Sequence, residues 1–164
     1  MEKSVNHKND CGVKRTLLVR VVDWLCGTLL VGITIWVLYR YGALPDRIPA
    51  HYGPDGVIDG YGPKSMIWFS VAGAWIVVGI MTAVEQFPRL WNLPFKVTKE
   101  NQCRVLSLIW HLISTTKLIV LGLYIYLTVM SALGWNLSIC FMLVSIGVLV
   151  ANSLYWVVRL FLNR

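Results

Sequence analysis

Residues 118–158 read LIVLGLYIYLTVMSALGWNLSICFMLVSIGVLVANSLYWVV, an unbroken run without Asp, Glu, Lys or Arg. A helix rising 1.5 Å per residue crosses the roughly 30 Å hydrocarbon core in about 20 residues, so this run is too long for a single crossing. It divides at Gly134-Trp135-Asn136, where Gly and Asn favour a turn and Trp suits the membrane interface. Two shorter uncharged runs, 24–39 and 65–84, precede it. The sequence therefore predicts an all-α integral membrane protein with four transmembrane helices, near 17–41, 65–85, 105–133 and 137–160. The whole of 1–164 reads as one membrane domain.

Composition agrees. Hydrophobic residues make up 57% of the chain and charged residues 14%, against roughly 25% charged in soluble domains; a water-soluble fold is excluded. The net charge of +7 resolves by position. Lys3, Lys8, Lys14, Arg15 and Arg20, then Arg89, Lys96, Lys99 and Arg104, then Arg159 and Arg164 fall on one side of the predicted bundle. Only Arg40, Arg47 and Lys64 fall on the other. Positive residues are retained in the cytoplasm, so both termini, the tail 1–16 and the loop 86–104 are expected inside and the loop 42–65 outside. The charge thus reports topology and contact with anionic membrane lipids. No nucleic-acid partner is expected, since that requires a basic face with stacking or groove-reading elements.

The first helix is too long and too poorly followed by a cleavage site to be a signal peptide, and reads as a retained anchor. Cys11, Cys26, Cys103 and Cys140 show no C-x-x-C spacing, which supports neither a disulfide framework nor a metal site. The tryptophans and tyrosines mostly mark helix ends, as an interfacial belt does, and call for no cofactor.

The loop 42–65 holds four of the six prolines and five of the thirteen glycines. Helix or regular strand is not expected over most of it. Tyr52-Gly53-Pro54-Asp55-Gly56 predicts a type I turn with Pro and Asp central, and Asp59-Gly60 a second turn. With Leu44, Ile48, Val57 and Ile58 to pack inward, the loop should form a structured outer cap.

Leu44-Pro45-Asp46-Arg47-Ile48-Pro49-Ala50-His51-Tyr52, followed by Gly56, Asp59 and Lys64, resembles the signature of the bacterial membrane family called domain of unknown function 1648. That domain also forms the N-terminal part of toxin-immunity proteins of the SdpI type. Trp91-Asn92-Leu93-Pro94-Phe95-Lys96-Val97-Thr98-Lys99-Glu100-Asn101 is similar to the family's asparagine-x-proline segment, so the resemblance spans helices 1 to 3, about two thirds of the chain. It implies a multi-pass protein of the bacterial cytoplasmic membrane, with a peptide toxin or a regulatory protein as partner. The further membrane domain of the immunity proteins is absent from this sequence.

Two groups of polar residues carry the functional readings. In the outer loop, Pro49, His51, Tyr52, Gly56, Asp59 and Lys64 are the candidates for ligand contact. With Asp46 and Asp55, the loop gathers an imidazole, three carboxylates and an amine, a set that can bind a cation or supply a general acid and base, or recognise a peptide or other ligand. The alternative is structural: the aspartates serve turns, Lys64 anchors helix 2, and His51 meets a backbone carbonyl. The spacing matches no nucleophile or metal motif, so no catalytic residue is assigned.

Within the bilayer, Arg20, Asp23, His111, Lys117 and Asn152 form a candidate polar cluster, since intramembrane ionisable groups are expensive to keep. Asp23, His111 and Asn152 each lie roughly 9–10 Å inside their helix ends, with Lys117 about 9 Å deeper. Arg20, Asp23, Gly27 and Thr34 share one side of helix 1, and Ser138, Ser145, Asn152 and Arg159 recur every seven residues on helix 4; both stripes should face inward. A buried network that fixes packing and a proton, ion or substrate path are both compatible with this pattern. Glu85, beside Arg89, reads as an interfacial salt bridge. Gly73, Gly79, Ala72 and Ala83 offer small faces for contact within the chain, with a second copy, or with another membrane subunit.

Two functions follow as expectations. One is an immunity or signal-sensing protein that recognises a peptide or lipid-like ligand through the outer loop. The other is a small transporter or membrane-embedded enzyme using Asp23, His111 and Lys117.

Overall fold

The computed structural model describes residues 15–88, 91, 93, 97, 98 and 100–163. The tail 1–14, Arg89 and five of the eleven residues of the asparagine-x-proline segment lie outside these residues. Four helices, α1 (Leu17–Arg40), α2 (Ile67–Gln86), α3 (Gln102–Leu133) and α4 (Ile139–Leu162), are each long and apolar enough to cross a membrane. The chain is a multi-pass membrane protein.

Helix ends follow from local chemistry. Thr16 caps α1, its hydroxyl accepting from the Val19 N–H at 3.4 Å, and Ser138 caps α4 by accepting from the Phe141 N–H at 3.3 Å. The long apolar run breaks where its Gly/Asn turn predicts. Gly134 takes φ +71°, a left-handed conformation open to glycine, and the Trp135 N–H reaches back to the Met130 carbonyl at 3.1 Å.

The helices alternate in direction. Arg104 at the start of α3 donates to Asn163 beyond α4 at 3.2 Å, and Thr16 before α1 meets His111 of α3 at 3.1 Å. The two ends of the described chain therefore share one end of the bundle, and the 42–65 segment caps the other.

That cap corrects the expectation of little regular strand. Strands β1 (Arg47–Tyr52) and β2 (Ile58–Pro63) pair antiparallel, with register irregularities on either side of His51. The prolines are compatible with this because both strands of a two-stranded ribbon are edges, so the N–H that Pro49 lacks disturbs little. The first predicted turn is present: the Gly56 N–H bonds the Gly53 carbonyl at 2.9 Å, and Asp55 Oδ1 accepts from the Val57 N–H at 3.1 Å. The second is not, since Asp59 and Gly60 lie within β2.

Apolar packing is layered along the bundle. Near the cap, Ile33, Val37, Ile48, Ile67 and Ala132 form one cluster; at mid-height Cys26, Leu30, Ala74, Val78 and Leu121 form a second. Near the termini, Val105, Leu108 and Ile109 of α3 meet Leu160 of α4. Helix α2 approaches α3 closely at Gly73, where an added Cβ would lie 3.0 Å from the Tyr124 ring. Helix α4 packs chiefly along α3. Cys26 and Cys140 are free, whereas Cys103 is disulfide-bonded, which the cysteine spacing gave no reason to expect.

Candidate functional site

The densest polar group lies between α1, α2 and α3, toward the end that holds the termini. Lys117, 1% exposed, directs its ammonium to Asp23 Oδ1 at 2.7 Å, Glu85 Oε1 at 3.0 Å and Thr82 Oγ1 at 3.3 Å. Those three bonds use all three N–H groups of the amine. Ser114 Oγ donates to the same Glu85 oxygen at 3.1 Å. Arg15 folds back over the start of α1, placing Nη1 3.0 Å from Asp23 Oδ2 and 3.5 Å from Glu85 Oε2. Two cations and two carboxylates thus balance, as a desolvated site requires. Glu85 Oε2 makes no hydrogen bond.

The membership of this group differs from the stripe read along α1. Asp23 and Lys117 are brought together, but Arg20 is exposed, and the guanidinium at Asp23 is that of Arg15. Glu85, whose expected partner Arg89 lies outside the described residues, is 1% exposed and paired with Lys117, which corrects its reading as an interfacial residue. Two indoles cover its turn of helix, with Trp110 Nε1 donating to the Glu85 carbonyl at 3.1 Å and Trp91 Nε1 to the Val84 carbonyl at 2.9 Å.

His111 takes no part in the Lys117 contacts. Its Nδ1 lies 2.6 Å from the Ser107 carbonyl, which can only accept, so the proton sits on Nδ1 and Nε2 faces the Thr16 hydroxyl at 3.1 Å. The ring stacks on Trp156 of α4 with centroids 5.1 Å apart. Asn152 also stands apart: its amide donates to Thr116 Oγ1 at 3.1 Å, joining α4 to a different face of α3. Of the α4 stripe, Ser145 and Asn152 are half-buried, whereas Ser138 and Arg159 are exposed.

At the opposite end, the hairpin residues divide into those that build it and those it presents. The Pro49 carbonyl accepts from Ser131 Oγ at 2.6 Å, and the Tyr52 hydroxyl is buried. That burial pushes the Tyr52 phenol above its ordinary pKa. Gly56 takes φ +78° against the α3–α4 connection: its carbonyl accepts from the Leu137 N–H at 2.8 Å, and Asn136 Oδ1 accepts from the Ile58 N–H at 3.0 Å. Lys64 is tied to Asp46 at 3.2 Å and lies over the Tyr41 ring. What remains open to solvent is His51 and Asp59, with Nδ1 and Oδ1 2.5 Å apart and side chains 75% and 50% exposed. Among the described residues, no group of three or more His, Cys, Asp or Glu could hold a metal ion.

Residues 28–82 match the family model described as domain of unknown function 1648, the family that the loop motif resembles. The match runs from mid-α1 through the hairpin into α2. It therefore contains the hairpin candidates and excludes Asp23, Glu85, His111 and Lys117, and it is narrower than the two thirds of the chain expected from both motifs. No curated protein and no solved structure matches the chain.

Proposed function

We propose that the chain is a receptor-type protein of the bacterial cytoplasmic membrane, of the immunity or signal-sensing kind. In this reading both termini are cytoplasmic and the hairpin faces outward, where it recognises a peptide or lipid-like ligand. The observation that carries the reading is the exposed His51–Asp59 pair on a hairpin braced to the helix ends through Ser131, Asn136 and Leu137. A hydrogen-bonding pair held on a rigid mount is a recognition element whose load passes directly to α3 and α4. The Asp23–Lys117–Glu85 group would then be the internal joint on which helix positions depend. The test is complementation of a deletion strain with His51→Ala, Asp59→Ala and Lys64→Ala. Loss of the strain's phenotype rescue at normal membrane abundance is expected, and full rescue by all three would sink the reading.

A second reading, a small transporter or membrane enzyme, draws on the direct contact of Lys117 with two carboxylates. It expects proteoliposomes to move protons or ions, or to alter an added lipid or peptide, with Lys117→Met abolishing the activity. Inert proteoliposomes would remove it.

A further inference from the structure

Helices α1 and α2 both pack on α3, but toward the termini they part from each other and leave a cleft of about 580 Å³. That volume falls within the roughly 300–1,000 Å³ of small-ligand sites. Its upper limit is a strut, Trp75 Nε1 donating to Thr34 Oγ1 at 3.0 Å. Below the strut the walls are apolar, with Leu30 and Val78 among them, and the lower end is polar, with Asp23, Lys117, Thr82, Gln86 and Arg15. Two of its lining positions are glycine, and an added Cβ at Gly27 or Gly79 would meet nothing within 4 Å, so a larger side chain there would project into open space.

Length and polarity select the occupant. From Trp75 to Gln86 the cleft follows α2 for roughly 16 Å, and one leaflet of the hydrocarbon core is about 15 Å deep. The cleft thus runs from the bilayer midplane to the polar boundary. At that boundary Arg15 is partly exposed and engages carboxylates through Nη1 alone. Its other N–H groups match a phosphate oxygen in the manner typical of guanidinium. The exposed Gln86 amide stands beside them at the mouth of the cleft.

We propose that this cleft is a binding site for one acyl chain of an anionic phospholipid from the leaflet at the termini's end, with its phosphate held by Arg15. The site is separate from the hairpin and does not rest on the hairpin's role. Bound lipid would lie against Asp23 and Lys117 and would wedge α1 from α2, so occupancy bears directly on the joint between the three helices.

The experiment is native mass spectrometry of the detergent-purified full chain, titrated with phosphatidylglycerol and, separately, with phosphatidylethanolamine. One phosphatidylglycerol per chain is expected to survive delipidation. Gly27→Leu and Gly79→Leu fill the cleft and should each lower that retention by about tenfold or more. Arg15→Gln should erase the preference for phosphatidylglycerol while leaving residual binding of both lipids. Gly122→Leu, in the separate groove between α3 and α4, should change nothing. Full retention in the Gly27 and Gly79 variants, or loss in the Gly122 variant alone, would overturn the proposal. Should a leucine variant fail to fold, Arg15→Gln decides alone, because an unchanged lipid preference contradicts the assigned headgroup contact.

Discussion

Lys117 and Glu85 meet 3.0 Å apart with side chains 1% and 0% exposed, so neither charge has water as an alternative partner. Removing one member of such a pair leaves the other desolvated and uncompensated. Lys117→Met is expected to destabilise the folded chain by about 3–5 kcal/mol. Replacing the pair together, Glu85→Gln with Lys117→Met, should recover most of the loss, because the remaining Asp23 keeps Arg15 as its cation. Unfolding in mixed micelles, followed by far-UV circular dichroism, compares the two. A double variant no more stable than the single one would show that the charges themselves, rather than their balance, hold the helices.

Gly56 is expected to tolerate no side chain. Its positive φ disfavours other residues by roughly 1–2 kcal/mol, and a Cβ there would stand 2.5 Å from the Leu137 carbonyl oxygen. Gly56→Ala should detach the hairpin from the α3–α4 connection, while Asn136→Ala, which removes one bond to the Ile58 N–H, should cost about 1 kcal/mol. Hydrogen exchange at the Ile58 amide reads both, with the larger loss of protection in Gly56→Ala.

Tyr52 supplies a pH prediction outside the membrane. Burial raises its folded pKa above the unfolded value of about 10. The unfolded phenol therefore ionises first as pH rises, and the folded state keeps the proton longer. The hairpin's stability from this group is complete below pH about 10 and falls as pH climbs through the folded pKa. Tyr52→Phe should abolish that alkaline loss. Proteolytic susceptibility of the hairpin between pH 8 and 11 would measure it.

His51→Ala and Asp59→Ala should each change stability by no more than about 0.5 kcal/mol, as exposed surface substitutions do. Thermal unfolding of both variants checks this. A small effect there makes any accompanying loss of cellular phenotype attributable to recognition.

Four crossings, their breaks and the Gly53–Gly56 turn were legible because each depends on local pattern: apolar length, a glycine or asparagine stop, a Pro-Asp centre. The strands were not, because composition in a short edge ribbon resembles that of a loop, and pairing depends on the partner segment. Asp23 and Lys117 stood out as charges in apolar helices. Glu85 and Arg15 did not, since each lies at a helix end where charge is ordinary. Their burial arises from Trp110, from Trp91 and from the reach of a flexible guanidinium. Depth counting set Lys117 about 9 Å deeper than Asp23, and the end of its long side chain meets Asp23 at 2.7 Å all the same. At 32 residues α3 is about 48 Å long, well beyond one core thickness, so counting from its end does not fix its height beside α1.

The Lys117 contacts also constrain how the protein is made. Asp23 of α1 has Arg15 beside it, but no residue of α2 pairs with Glu85 and none of α3 pairs with Lys117 among the described residues. A lysine at the centre of a helix costs about 2.5–3.5 kcal/mol to insert alone. Lys117 finds its counter-charges only on α1 and α2, so α3 is expected to insert against the two helices made before it rather than by itself.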